Sequence, residues 1–345
     1  MLLTCILSLL APLLGGLSLL INVKSQKNSF FDKTYTNVLK GLASIIVIYV
    51  HVWPAYGNKV QDTIGCFAYV CVTFFFLVSA YGMMLSVEKK SKYLKSFWRN
   101  RLLALLIPCL LINIVNVGFK TLWNSEFNII ALLNINSYIV VLLQWCAWFY
   151  VVEWMHKLFF PEKKFWADCL LIGGVVVSSL CLYFFTDAEL SSQSGWCFER
   201  MGLVWGVLLY RYFDNVVAWM NKHQYAKVLV LFILGIVLGV AYLKFKFVYF
   251  LGAYLLKIVL GFVLLLLLFT STCRMNIGCN PVSQWLGNIS YEVYLSHGVI
   301  MGLLAHYFPH LESGIHIFLT IVCTFVLSTI VHYVGNPIVN QLRKK

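Results

Sequence analysis

Long apolar runs alternate with short polar breaks along almost the whole chain. Stretches of spanning length fall near residues 2–22, 36–53, 64–86, 102–119, 137–160 and 166–186. They continue near 199–213, 225–243, 248–271, 286–306 and 314–334. About 20 consecutive apolar residues suffice to carry a helix across the hydrocarbon core of a bilayer. Lipid offers backbone groups no water to bond, so such runs close their hydrogen bonds internally as helices. The pattern predicts an all-α fold, a polytopic membrane helical bundle of about eleven transmembrane helices. The 199–213 stretch is short for a bilayer and is the one most easily miscounted.

The polar breaks fix an orientation. With residue 1 outside, the inner loops hold Lys24, Lys27 and Lys33, the dense cluster from Lys89 to Arg101, then Lys157, Lys163 and Lys164, and the tail Arg343, Lys344, Lys345. The outer loops hold few cations, Arg200 among them, beside Asp62, Glu126, Glu199 and Glu312. Such alternation follows the positive-inside rule, which a miscounted helix would scramble. It places the C-terminus in the cytoplasm and the N-terminus outside. The net charge of +13 is explained by topology, and no nucleic-acid partner is needed to account for it.

Composition narrows the class further. The chain is 61% hydrophobic and 11% charged, whereas a soluble domain carries about 25% charged residues. Seven prolines and no polar low-complexity tract leave no room for a separate soluble domain. The eleven cysteines mostly sit inside apolar segments without CxxC spacing, as small hydrophobes rather than a disulfide frame. Residues 2–22 lack a basic segment before the apolar run, so the expectation is an uncleaved first helix. Residues 1–30 then form an additional N-terminal helix with a basic cytoplasmic loop, and residues 31–345 form one membrane domain.

Against this background the polar residues inside apolar runs stand out. Lys40 and His51 lie eleven residues apart in KGLASIIVIYVH, about three helical turns, so they share one face roughly 16 Å apart. An amine and an imidazole are costly in lipid and must face protein or a wet cavity. Histidine is the side chain best suited to take and return a proton at neutral pH; a membrane histidine also serves as an interhelical hydrogen-bonding residue, and a lysine at a cytoplasmic edge as an anchor. The next segment, VCVTFFFLVSAYGMMLS, offers small Ser79, Ala80 and Gly82 with the hydroxyl of Tyr81, a pattern that simple close packing explains. The basic loop that follows, with Lys95, Arg99 and Arg101, serves topology, anionic lipid or a phosphate-bearing ligand. QWLGNISYEVYLSHGVIM concentrates Tyr291, Glu292, Tyr294 and His297 on one spanning helix. There 294 and 297 are neighbours, and 291 stacks one turn earlier.

The Lys40-to-His51 spacing, the FFFLVSAYG segment, RNRLLALLIP and LGNISYEVYLSH together resemble the bacterial integral-membrane acyltransferase 3 family over about residues 35–340. The resemblance implies a ten-helix core, with residues 2–22 an added helix, in a multi-pass protein of the bacterial cytoplasmic membrane. It implies O-acylation of a hydroxyl on a cell-surface polysaccharide or lipid-linked glycan, with acyl-CoA, acetyl-CoA foremost, as co-substrate rather than bound cofactor. Three departures stand out. Ser79–Ala80 replaces a serine–glycine pair. Arg99 and Arg101 are two apart where the family's arginines are three apart, and position 104 is Ala104. Asn336–Pro337 replaces an acidic residue and proline.

Acyl transfer needs a base for the hydroxyl proton, a group for the oxyanion and a site that excludes water. On this reading His51 is the base at the outer end. Lys40 is the second catalytic residue, at the cytoplasmic side, where Arg99, Arg101 and Lys95 receive the donor, and Ser79, Tyr81, Trp148, Tyr291, Glu292 and His297 line the substrates. Lys257, inside an apolar run, needs a partner, for which Glu153 and Glu292 are candidates. Trp145 and Trp148 serve as interface anchors or sugar-stacking rings. The HYFPHLESGIH loop is read as plain loop, because Pro309 breaks helical presentation of metal ligands. The competing classes are a transporter or flippase of a lipid-linked glycan and a non-catalytic membrane subunit of an export complex. Only the enzyme requires His51.

Overall fold

The computed structural model describes residues 30–52, 59–90, 92–124, 127–186, 195–275, 277–278 and 280–344, so the stretch predicted at 2–22 lies outside it. All ten remaining stretches are helical. We number the helices α1 Lys33–His51, α2 Lys59–Gly65, α3 Tyr69–Lys89, α4 Phe97–Asn124, α5 Ser137–Phe159, α6 Lys164–Phe185 and α7 Met201–Arg211. Next come α8 Phe213–Asn221, α9 Gln224–Phe245, α10 Lys257–Thr272, α11 Pro281–Tyr307 and α12 Ser313–Lys344. Among the described residues there is no strand. Seven helical stretches are long and apolar enough to cross a membrane. The chain is therefore a multi-pass helical membrane protein. Two helices long enough to span are absent from the seven because they are too polar, α1 and α11.

The chain separates into two compact units. The first gathers the described parts of Met1–Ala68, Trp98–Asn136 and Asn276–Lys345, and so contains α1, α2, α4, α11 and α12. The second comprises Tyr69–Phe97 and Ser137–Met275.

In the first unit α1 packs against α11. Asp32 caps α1 by accepting from the Tyr35 N–H at 2.8 Å. Asn280 caps α11 in the same way toward Ser283 N, and Pro281 sits at the first turn, where a missing N–H costs nothing. The helices meet where each has a glycine. A Cβ on Gly41 would lie 2.8 Å from the Leu286 Cβ, and one on Gly287 would lie 2.3 Å from the Asn37 carbonyl oxygen. Asn37 pairs with Gln284 and Asn288, Ile48 with Ile289 and Val293, and Tyr49 with Met301, so the two helices run parallel. Parallel spans require an odd number of crossings between them. The helices α3 to α7, α9 and α10 supply that number only if the short α7 crosses as well. α12 returns antiparallel to α11, with Met301 near Ile317, Ser296 bonded to Ser328, and Glu292 bonded to His332.

In the second unit the most extensive pairing is α3 with α7. A Cβ on Gly206 would fall 2.3 Å from the Leu77 carbonyl oxygen, and Gly202 lies as tightly against Thr73. Glu199 and Arg200, expected among the outer-loop charges, are buried at 0% and 5% exposure. The guanidinium of Arg200 donates to Ser178 Oγ at 3.0 Å and to the Gly195 carbonyl, which is how a charge read as loop comes to sit inside.

Candidate active site

The polarity that sets α1 and α11 apart is organised in tiers along their shared length. At their N-terminal ends, Asn37 Nδ2 donates to Gln284 Oε1 at 3.1 Å and to Asn288 Oδ1 at 3.0 Å. Gln284 Nε2 in turn donates to the carbonyls of Thr34 and Gly278. These bonds fix the register of one helix on the other, since an unpaired amide there would be expensive.

The middle tier holds the charges. Lys40 is half-buried, and the carboxylate of Glu292 lies within its electrostatic reach. Glu292, 5% exposed, accepts at Oε1 from His332 Nδ1 at 2.9 Å. Asn336 Nδ2 donates to His332 Nε2 at 2.8 Å, which leaves the His332 proton on Nδ1, facing the carboxylate. His332 and Asn336 are site residues that sequence reasoning missed. Their signal was a histidine four residues before an asparagine–proline pair on a spanning helix. Glu292 is thus engaged by His332, and Lys257 in the second unit stands 4.0 Å from the centroid of the Phe198 ring.

At the C-terminal end of α1 two histidines come together. The rings of His51 and His297 lie 5.1 Å apart, tilted by 57°. Each directs Nδ1 at a carbonyl one turn back: His51 at Val47 O, 2.7 Å away, and His297 at Val293 O, 3.3 Å away. A carbonyl only accepts, so each ring carries a proton on Nδ1, and in its neutral form presents Nε2 as a lone pair. His51 is exposed at the end of its helix, whereas His297 is half-buried. Tyr294 packs beside His297 with centroids 5.8 Å apart, as the helical spacing predicts.

The other sequence candidates distribute as follows. The Tyr291 hydroxyl donates to the Leu105 carbonyl on α4 at 2.8 Å and serves as a helix tie. Arg99 is exposed and Arg101 half-buried in the first turns of α4, and Arg343 from the end of α12 donates to the Asn100 carbonyl at 3.2 Å. Arg99, Arg101 and the backbone carbonyl that Arg343 bonds thus lie at the same end of the first unit, with residues 99 and 101 about 200° apart around α4. Lys95 is exposed in the short turn Leu94–Ser96 that precedes α4.

Ser79, Tyr81 and Trp148 belong to the second unit. Ala80 is fully buried against Gly206, and the Tyr81 ring meets Tyr210 and Phe213. Trp148 lies over Gly174 and donates from its indole to the Leu170 carbonyl at 3.2 Å, joining α5 to α6. Its neighbour Trp145 is 3% exposed. Among the described residues no three His, Cys, Asp or Glu side chains gather as metal ligands.

An imidazole at an exposed helix end, a second imidazole beside it and arginines at the opposite end can serve proton transfer and anion binding. Comparison with known proteins bears on this arrangement. A family model described as an acyltransferase domain, that of the acyltransferase 3 family, matches residues 33–334. No curated protein and no solved structure matches the chain.

Proposed function

Because the chain belongs to the acyltransferase 3 family and is a membrane acyltransferase, we propose that it moves an acyl group, acetyl foremost, from cytoplasmic acyl-CoA to a hydroxyl of a cell-surface polysaccharide or its lipid-linked precursor. The observation that carries this reading is the His51 imidazole. Its Nδ1 is tied to Val47 O, its Nε2 is left as a lone pair, and its ring stands at the exposed end of α1. Nε2 takes the proton of the acceptor hydroxyl as the oxygen attacks the thioester carbonyl. The tetrahedral intermediate collapses, the C–S bond breaks, and the imidazolium returns its proton to the departing thiolate. His297 lines the same space and helps orient the acceptor.

The donor's phosphates suit the arginine end of the first unit. Arg99 and Arg101 are two apart in sequence, and Arg343, bonded to the backbone between them, supplies a third guanidinium. Lys40 and the Glu292–His332–Asn336 chain lie between that end and His51, along the roughly 16 Å that the slim pantetheine arm would thread. The protein then resides in a bacterial cytoplasmic membrane with its basic tail inside, as its loop charges favour.

The test is transfer of labelled acetyl from acetyl-CoA to glycan in sealed membrane vesicles, wild type against His51→Ala. Label on glycan hydroxyls that depends on His51 supports the reading. Equal labelling by both proteins sinks the mechanism and brings the transporter of lipid-linked glycan forward.

A further inference from the structure

A small cavity on a different face of α11 from the histidine pair has no role in the chemistry above. It encloses about 190 Å³ between α4, the segment after it and α11, and is lined by Cys109, Ile112, Asn113, Asn134, Ile135, Asn136, Leu295 and Val299. Three of these residues are asparagines and none is charged. Asn113 uses its amide N–H groups on the carbonyls of Leu132 and Asn134, at 2.9 and 2.7 Å, which leaves Oδ1 as an acceptor. The Asn134 side-chain amide is exposed and hydrogen-bonds to no described residue.

Amide groups that both donate and accept, set opposite isoleucine, leucine and valine walls, match one kind of ligand. A sugar ring offers hydroxyls along its edges and C–H groups on its faces, without charge. A phosphate or carboxylate would find no cation here.

The cavity and the histidine pair are linked along α11. Leu295 and Val299 face the cavity and His297 faces His51, so the intervening surface is that of Gly298. Three consecutive helical residues sweep about 200° of the circumference. Gly298 is exposed, and a Cβ added to it would meet nothing within 4 Å. A chain bound in the cavity can therefore pass over an open, side-chain-free strip to reach His51.

We propose that this asparagine cavity is a second saccharide subsite on the opposite face of α11, which holds an uncharged sugar of the acceptor glycan while a sugar several units along the same chain, carried round the helix over Gly298, presents its hydroxyl to His51. The proposal rests on the reading of the acceptor as a glycan and narrows it to a neutral chain of more than one sugar. The subsite adds one or two hydrogen bonds and apolar contact with the C–H face of the sugar, a combined gain of about tenfold in affinity or more.

The experiment uses full-length protein in lipid nanodiscs. It is titrated with neutral tetrasaccharides of glucose, N-acetylglucosamine and mannose and with the matching monosaccharides. The expected result is at least one tetrasaccharide that binds about tenfold tighter than its monomer. Asn134→Leu, which removes an amide that holds no part of the fold, and Gly298→Phe, which fills the strip, should each erase that advantage. Unchanged melting temperatures would show that both variants remain folded. The proposal is overturned if no neutral tetrasaccharide outbinds its monomer, or if Asn134→Leu keeps the advantage. Length-dependent saccharide binding in a protein that transfers no acetyl would sink the acetyl-transfer reading and leave the subsite standing. Acetyl transfer indifferent to acceptor length would sink the subsite alone.

Discussion

Two helix crossings in this protein are built by the same device and differ in what they carry. In the first unit α1 crosses α11 at Gly41 and Gly287; in the second α3 crosses α7 at Gly202 and Gly206. At both, a single added methyl would collide with the backbone of the partner. Close approach of backbones is the usual route to strong helix association in lipid, where the hydrophobic effect does not drive helices together. At α3/α7 the crossing is surrounded by the apolar Leu77, Ala80 and Val207. At α1/α11 the same contact frames Asn37, Lys40, His51, Glu292 and His297, which the bilayer alone would reject. Glycine-built crossing is thus scaffold in both regions, and the chemistry follows the polar side chains.

The largest effect that would sharpen this contrast is on catalysis. His51→Ala should lower acetyl transfer by about 10²–10⁴-fold, the usual contribution of a positioned base, without loss of folded protein. His297→Ala should cost less, because on the proposed mechanism that ring orients the acceptor while His51 takes the proton. A measurement of initial rates per folded molecule in vesicles, with both variants side by side, separates the two roles. Equal losses would mean that the imidazoles act as one unit.

Next in size are the glycines. Gly287→Ala and Gly206→Ala each put a Cβ 2.3 Å from a carbonyl oxygen, of Asn37 and of Leu77 respectively, so each pair of helices must move apart. Overpacking of this kind costs about 1–3 kcal/mol. Thermal unfolding in detergent should therefore report similar destabilisation for both. Activity per folded molecule should fall only for Gly287→Ala, because only there does the shift pull His297 away from His51. A matching fall for Gly206→Ala would erase the distinction between the two crossings.

The sequence reveals some of this and conceals the rest for identifiable reasons. A period of 3.6 residues places Lys40 and His51 on one face, and Tyr294 beside His297, without any tertiary information. The apolar runs reveal every described spanning helix, because lipid leaves the backbone no alternative. The partner of Glu292 was hidden. His332 is 40 residues away on an antiparallel helix, and its approach depends on the register of α11 on α12, which no local pattern encodes. Glu199 and Arg200 misled in the other direction. Adjacent charges beside a short apolar run read as loop, yet here the chain folds them inward, where Ser178 and a backbone carbonyl receive the guanidinium. The pairing of Arg343 with the backbone at Asn100 likewise depends on where the long α12 ends.

A smaller effect should follow from cutting the register bonds at the N-terminal tier. Asn37→Leu removes two interhelical hydrogen bonds, to Gln284 and Asn288. Such bonds average about 0.6 kcal/mol each within membranes, so a loss of about 1 kcal/mol is expected, read as a lower unfolding temperature. Thr73→Val at the other crossing should cost less. Among the described residues the Thr73 hydroxyl bonds to the Tyr69 carbonyl of its own helix at 3.0 Å and to no other helix.

The smallest expected effect tests the comparison most severely. Ser79 and Tyr81 flank Ala80, which is buried against Gly206 at the heart of the α3/α7 crossing. The Tyr81 ring is held by Tyr210 at 5.6 Å and Phe213 at 6.0 Å between centroids. If that crossing is scaffold alone, Ser79→Ala and Tyr81→Phe keep the volume and the ring contacts that matter. Each should then change stability by no more than about 0.5 kcal/mol and leave acetyl transfer within about twofold of wild type, a ratio of under half a kcal/mol. A tenfold or greater loss in transfer for either variant, with the unfolding temperature unchanged, would place a working hydroxyl at the α3/α7 crossing. The α3/α7 crossing would then carry chemistry of its own, and the division between a structural crossing and a chemical one would fail.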